Sequence, residues 1–334
     1  MSCDACGFVF NQRFDPATQR FGDGYEESQA HSGVFRRFER ELVEDLVGRL
    51  GVRGQRVLEV GCGKGTFLRA LCELGGNRGV GYDPAYAPRE TGPATSVRFE
   101  RRLFGADVDE PPADVVVCRH TLEHIRDVVG FGRLLSQALR PGGLLLVEAP
   151  AWERISREAA FWDVYYEHAC YFDRSTLLRW THASGFDDAS VRTVYGDQYL
   201  VGEARATGAV DAEDIRRSEV SPPRFQDEVD HWRGVLRSAR DRRVAIWGSG
   251  SKGVGFLAAM GEEADAVCAA VDINPHRQGG WMPGVAVEIV SPDRLVELGV
   301  GHVIAMNRIY RDEIAECLSR LGWSGELLAL GDPR

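Results

Sequence analysis

Two histidines in this chain each follow a glutamate, as Glu123-His124 and Glu167-His168. An imidazole titrates near neutrality, and a neighbouring carboxylate orients it or raises its pKa, so either pair suits proton transfer. The second pair lies in Tyr165-Tyr-Glu-His168, followed by Tyr171-Phe172, which brings phenol hydroxyls to the candidate base. Two glycine loops offer a different chemistry. Val57-Leu-Glu-Val-Gly-Cys-Gly-Lys-Gly-Thr66 spaces glycines at 61, 63 and 65. Val244-Ala-Ile-Trp-Gly-Ser-Gly-Ser-Lys-Gly253 spaces them at 248, 250 and 253. Glycines this close let the backbone approach a ligand, because a Cβ would collide with it or forbid positive φ. Alone, a Glu-His pair is a solvated loop and a glycine a tight turn. The order of the motifs is what carries the argument.

Each glycine loop follows an apolar strand, and each is followed by a second strand ending in an acid. The first such strand is Asn77-Arg-Gly-Val-Gly-Tyr-Asp83. An acid there can accept both hydroxyls of an adenosine ribose. Ala113 to Cys118 is another apolar run, ending in Arg119 and His120. A periodic segment, Val128 to Leu139, leads to the breaker Pro141-Gly-Gly143 and the strand Leu144–Glu148. Alternating strands and helices predict an α/β fold with a doubly wound parallel sheet. The spacing at 61–65 is Gly-x-Gly-x-Gly. In the Gly-x-Gly-x-x-Gly register of dinucleotide binders the third glycine would fall on Thr66. From about Val34 to Ala204 the chain resembles the class I methyltransferases that use S-adenosylmethionine (SAM). The resemblance implies SAM as cofactor, bound by Glu59, Gly61, Gly63, Gly65, Asp83, Arg119 and His120.

The chain has 334 residues and a net charge of −10. An acidic surface argues against a nucleic-acid substrate, which needs a basic face. No apolar run reaches the length of a membrane span, and no basic-then-apolar signal opens the chain, so a cytoplasmic location is expected. The eight cysteines mostly sit in apolar segments, where a reduced Cys is a small hydrophobe. The exception is Cys3-Asp-Ala-Cys6-Gly, half of a zinc-knuckle pattern. Zinc needs four ligands and no second Cys-x-x-Cys follows, so no bound metal is expected.

These signals divide the chain into a remnant knuckle-like module (1–33), a SAM-binding domain (34–205), a helical linker (206–241) and a smaller Rossmann-like α/β domain (242–334). Asp173 or Ser175 caps a helix after the aromatic-rich stretch Trp152–Phe172. Residues 186–205 read as a β-hairpin, and 225–238 as a connecting helix. Strands are expected at 266–272, 302–306 and 326–330.

The order of motifs supports a narrower resemblance. A Cys-x-x-Cys-Gly module, a SAM domain, a Tyr-x-Glu-His-x-x-Tyr-Phe segment and a Gly-x-Gly-x-Lys-Gly domain with "VDINPHRQGGWMPG" resemble the three-part nucleotide-sugar C-methyltransferases of deoxysugar pathways. That resemblance implies a 4-keto sugar on a nucleoside diphosphate as substrate, and an antibiotic or secondary-metabolite pathway. His168, oriented by Glu167, would remove the proton beside the ketone. Tyr25, Tyr165 or His124 would hydrogen-bond the enolate oxygen. Lys252, Gly250, Arg277 and Tyr171 would bind substrate, with the C-terminal domain clamping its nucleotide half through a helix N-terminus. A monomer or homodimer is expected. This sequence departs from the family pattern in its single Cys-x-x-Cys. O- or N-methylation of another small natural product is the alternative. The loop at 248–253 with Asp272 also fits a nicotinamide site, although a Lys in the loop and a short domain count against it. A purely structural or oligomerising C-terminal domain is the non-catalytic reading.

Overall fold

The computed structural model describes residues 1–18, 29–87, 96–207, 223–239 and 242–332. It divides into two compact units. The first comprises Met1–Tyr25, Arg37–Glu153 and Tyr166–Glu219, and the second Glu26–Arg36, Arg154–Tyr165 and Val220–Arg334. The aromatic stretch is therefore shared, with Tyr165 in one unit and His168 in the other.

Among the described residues the first unit holds nine strands: β1 (Val9–Phe10), β2 (Arg56–Val60), β3 (Arg78–Tyr82), β4 (Val97–Glu100), β5 (Ala113–Arg119), β6 (Leu139–Pro150), β7 (Cys170–Tyr171), β8 (Phe186–Val194) and β9 (Tyr199–Ala206). Seven of them make one sheet in the order β4-β3-β2-β5-β6-β9-β8. The pairings from β4 to β6 are parallel, and those of β6 with β9 and β9 with β8 are antiparallel. The order reverses between β2 and β5, so the crevice at their carboxyl ends is where such a sheet binds ligands. Both faces are covered, and the central strands are therefore apolar throughout: Val115, Val116, Val117 and Cys118 are all fully buried. Phe67, Leu68 and Leu71 of helix Thr66–Gly75 pack on one face with Leu42 and Leu46 of helix Gly33–Gly48. On the other face lie Leu135, Phe172, Leu177 and Trp180. Asp173 caps helix Arg174–Ala183, accepting the Thr176 N–H at 2.7 Å in a reciprocal capping box.

One expectation about this sheet is corrected. Pro141-Gly-Gly143 does not precede the strand but lies within β6. Leu139 pairs with Ala113 and the ladder resumes at Leu144 with Val115, so Arg140–Gly143 loop out as a bulge. A bulge tolerates Pro, and Gly142 takes φ 75.

The second unit holds β10 (Arg243–Trp247), β11 (Val267–Val271), β12 (Ile289–Val290), β13 (Val300–Ala305) and β14 (Glu326–Ala329). They form a wholly parallel sheet in the order β12-β11-β10-β13-β14. Helix Ser251–Met260 follows the second glycine loop. Trp162 is buried beside it, its backbone 3.6 Å from where a Cβ on Gly255 would stand.

Candidate active site

The first glycine loop leaves β2 at Gly61. Gly61 has φ 75, and a Cβ there would overlap the Thr121 hydroxyl. Gly65 has φ 74, and its Cβ would enter the Phe99 ring. Glycine is thus obligatory at both. Asp83, just past β3, accepts the Gly63 N–H at 2.8 Å and the Ala85 N–H at 2.7 Å, which ties the loop to the neighbouring strand. A carboxylate has about four acceptor positions, so Asp83 keeps capacity for ligand hydroxyls. Glu59 is 2% exposed, and one of its oxygens, Oε2, has no hydrogen-bond partner. Burial pushes its carboxyl up to about 8, against the opposing pull of Arg119. An orphaned acid beside a glycine cradle is a place for a cationic ligand. SAM, with its ammonium and sulfonium, fits that requirement.

Arg119 ends β5 and is buried. Its guanidinium meets Glu39 and Glu148, each at 3.0 Å, and lies 4.1 Å from the Phe67 ring centroid. His120 follows at φ 47, with Nε2 2.6 Å from Glu148 Oε1 and Nδ1 3.5 Å from Glu123 Oε1. Burial alone would pull that imidazole down, but the Glu148 charge outweighs it and raises the pKa to about 10. Glu148 is fully buried, and Arg119 and His120 overcome its desolvation to hold it at about 2. Arg119 and His120, expected to hold cofactor, are thus engaged in an internal charge chain running Glu39–Arg119–Glu148–His120–Glu123.

The chain of charges ends at two histidines. His124 closes the one-turn helix Leu122–His124, and His168 is 6% exposed. Their rings meet edge to face with centroids 4.9 Å apart, and the Tyr171 ring lies 5.3 Å from His168. His124 Nδ1 stands 3.0 Å from the Glu167 carbonyl oxygen. Donation from Nδ1 fixes the tautomer that leaves Nε2 as an acceptor. Glu167, expected to orient His168, is exposed, and its main-chain carbonyl faces His124; the buried acid beside both imidazoles is Glu123. Burial would raise the Glu123 carboxyl, but His120, His124 and His168 together hold it below the ordinary range. Ligand atoms of Glu123, His124 and His168 all lie within 4.8 Å of one another. An acid and two imidazoles grouped this closely suit proton transfer.

Tyr165, in the second unit, donates its hydroxyl to Asp163 at 3.1 Å. Asp163 also takes Lys252 and Arg154 as ion-pair partners. These cations overcome burial and hold the Asp163 carboxyl low, while burial brings the Lys252 ammonium down to about 8. The Lys252 charge is therefore already answered. Arg277 is a second cation at this loop, its Nη1 3.3 Å from where a Cβ on Gly250 would stand. Asp272 accepts the Ser249 N–H at 3.0 Å and the Asn274 N–H at 2.9 Å, fixing the loop from below. Tyr25 lies outside the described residues. Cys3 and Cys6 are free thiols on one turn, and Cys3 is held below its ordinary range by the backbone N–H groups of Cys6 and Ala5. No helix among the described residues is long and apolar enough to cross a membrane.

Comparison with known proteins agrees with a SAM-dependent methyltransferase. The methyltransferase domain family matches residues 35–191. With the fold and the glycine loop, that match defines a class I SAM-dependent methyltransferase. The C-methyltransferase C-terminal domain family matches residues 224–329, so the chain joins these two domains and between them they span most of it. C-methyltransferase NovU of Streptomyces niveus is 27% identical over 293 residues, covering 79% of this chain and 68% of that protein. The 2-ketoarginine methyltransferase of Streptomyces arginensis is 33% identical over 144 residues, 37% of this chain and 42% of that one. A crystal structure of Burkholderia thailandensis 1,6-didemethyltoxoflavin-N1-methyltransferase aligns at TM-score 0.43 and 21% identity, over 52% of this chain and 81% of that one.

Proposed function

We propose that the enzyme methylates a carbon beside the ketone of a nucleoside-diphosphate keto-sugar. The observation that carries this reading is the pair of the buried His168 and the half-buried His124, backed by the Glu123 carboxylate. A free amine already presents an electron pair for methyl transfer, whereas a hydroxyl, like a carbon beside a ketone, must lose a proton first. A carbon nucleophile needs a positioned base and a donor for the oxygen that gains charge. SAM supplies, when bound, a methyl carbon activated by its sulfonium, so alignment of a carbon nucleophile suffices. His168 takes the α-proton. His124 serves the enolate oxygen when it carries a proton on Nε2, and the Glu167 carbonyl holds its ring in place. Glu59 and Asp83 keep the cofactor in register, with the loop from Gly61 to Gly65.

Methylation on carbon is supported by the C-methyltransferase C-terminal domain family and by C-methyltransferase NovU, a relative that aligns over 79% of this chain. In the second unit, the loop at Gly248–Gly250 opens a ten-residue helix, and Arg277 lies over it. A helix N-terminus with an arginine suits a diphosphate.

The test is isotope exchange. With S-adenosylhomocysteine bound, the enzyme in deuterated water should wash the α-proton out of a thymidine-diphosphate 4-keto sugar, and His168→Gln should not. With SAM, mass spectrometry should find one methyl on carbon. A product methylated on oxygen or nitrogen, with no exchange, would overturn the reading.

A further inference from the structure

Glu123 is the buried acid nearest the two histidines, and its surroundings are unusual for a residue that begins a one-turn helix. It is 2% exposed, and its Oε2 has no hydrogen-bond partner. Three imidazoles face it: His120 from the loop after β5, His124 from the same turn, and His168 from the segment before β7. The thiols of Cys118 on β5 and Cys170 on β7 feel its charge too, and burial keeps both neutral. The main chain of the same residue seats that segment, because the Ala169 N–H donates to the Glu123 carbonyl at 2.7 Å. Glu123 thus fixes the segment carrying His168 through its backbone, and faces the ring through its side chain. A buried carboxylate without full hydrogen bonding is costly unless nearby groups answer it.

We propose that Glu123 is the positioning residue of the methyl-transfer site: its carboxylate orients the His168 ring and stabilises the positive charge that ring gains on taking the substrate proton. The inference rests on the reading of His168 as the base. The proton balance is simple. The α-carbon gives its proton to a His168 nitrogen, the electron pair stays on the substrate as an enolate, and Glu123 remains ionised throughout. His120, held between Glu148 and Glu123, keeps Oε1 occupied and leaves Oε2 to the other two rings. A carboxylate this close favours the imidazolium, and so sets how strong a base His168 is.

The experiment is a histidine ¹⁵N NMR titration of the enzyme bound to S-adenosylhomocysteine, for wild type, Glu123→Gln and Glu123→Asp. In Glu123→Gln the His168 pKa should fall by about one unit or more. The acid limb of kcat/KM should move down with it, and kcat should fall about tenfold or more while KM holds. Glu123→Asp should restore part of each. A folded Glu123→Gln enzyme whose His168 titration is unmoved overturns the proposal. Should Glu123→Gln fail to fold, a ¹³C carboxyl titration of the wild type decides it. Glu123 and His168 should then share an inflection, and independent curves overturn the proposal. Both titrations are read without substrate. Coupling together with no turnover of any keto-sugar would therefore sink the sugar assignment alone.

Discussion

Glu59 makes cofactor binding a proton-releasing event. Its carboxyl titrates at about 8 because it is buried and one oxygen is orphaned. At pH 7 it is therefore ~90% protonated in the cofactor-free enzyme, by the ordinary titration relation. A bound ammonium or sulfonium favours the ionised form and returns the pKa toward its usual ~4.3. Binding at pH 7 should then release ~0.9 proton, and at pH 9 only ~0.1. The full shift corresponds to ~5 kcal/mol, a ceiling on the coupling between proton and cofactor. The sign for stability follows. Between about 4.5 and 8 the folded state binds more protons than the unfolded chain, so this group makes the cofactor-free enzyme less stable as pH rises through that window. Saturation with SAM should flatten the slope. The assay is calorimetry of SAM and S-adenosylhomocysteine binding in buffers of different ionisation enthalpy, at pH 6 to 9. A smaller release with S-adenosylhomocysteine would assign the sulfonium as the partner. Glu59→Gln should abolish the release and weaken binding ~10- to 100-fold at pH 9, the ~1.5–3 kcal/mol of a hydrogen bond to a charged group. No release in any buffer, with an affinity flat across this range, would refute the reasoning.

Four further outcomes follow from the same geometry. Gly61→Ala, which puts a Cβ on Thr121 at φ 75, should cost ~2 kcal/mol or more in denaturant unfolding and abolish SAM binding by calorimetry. His120→Gln should cost ~1–3 kcal/mol at pH 7 by taking a half-buried partner from the fully buried Glu148. Because the folded pKa of His120 is raised to about 10, its contribution is complete below about 6.5, and melts of wild type and variant should converge as pH rises through about 10. Asp173→Ala removes the side-chain acceptor of the capping box, leaving the main-chain N–H of residue 173 to the Thr176 hydroxyl, and should lower stability by ~1–2 kcal/mol without changing KM for SAM. Arg277→Ala should weaken binding of thymidine diphosphate ~10-fold or more by calorimetry, while leaving the S-adenosylhomocysteine isotherm unchanged.

The cofactor loop was legible in the sequence because hard sterics wrote it there. Gly61 and Gly65 face side chains that leave no room for a Cβ, and such positions constrain residue type absolutely. The parallel strands were legible for a similar reason, since strands buried on both faces must be apolar runs. Proline and glycine in β6 misled, because they break regular ladders but not a bulge whose register is set by β5. Glu123 was legible only as the neighbour of His124. That it also meets His168 and seats Ala169, more than forty residues away, arises from the fold. The same holds for Lys252, whose spacing suggested a phosphate ligand. Only the fold reveals Asp163 as its partner.

The small ladder of β1 with β7 reaches further than its size suggests. Val9 pairs with Tyr171 and Phe10 with Cys170, while the Asn11 N–H bonds the Ala169 carbonyl at 2.9 Å and its side chain bonds the Tyr166 carbonyl at 3.0 Å. The turn carrying Cys3 and Cys6 is thus built onto the back of the peptide that presents His168. Exchange of this short segment between relatives would alter the footing of the base without touching a residue that lines the cofactor loop. Natural variation or laboratory grafting at the N-terminal strand is therefore a route to new proton-transfer behaviour that leaves cofactor affinity intact.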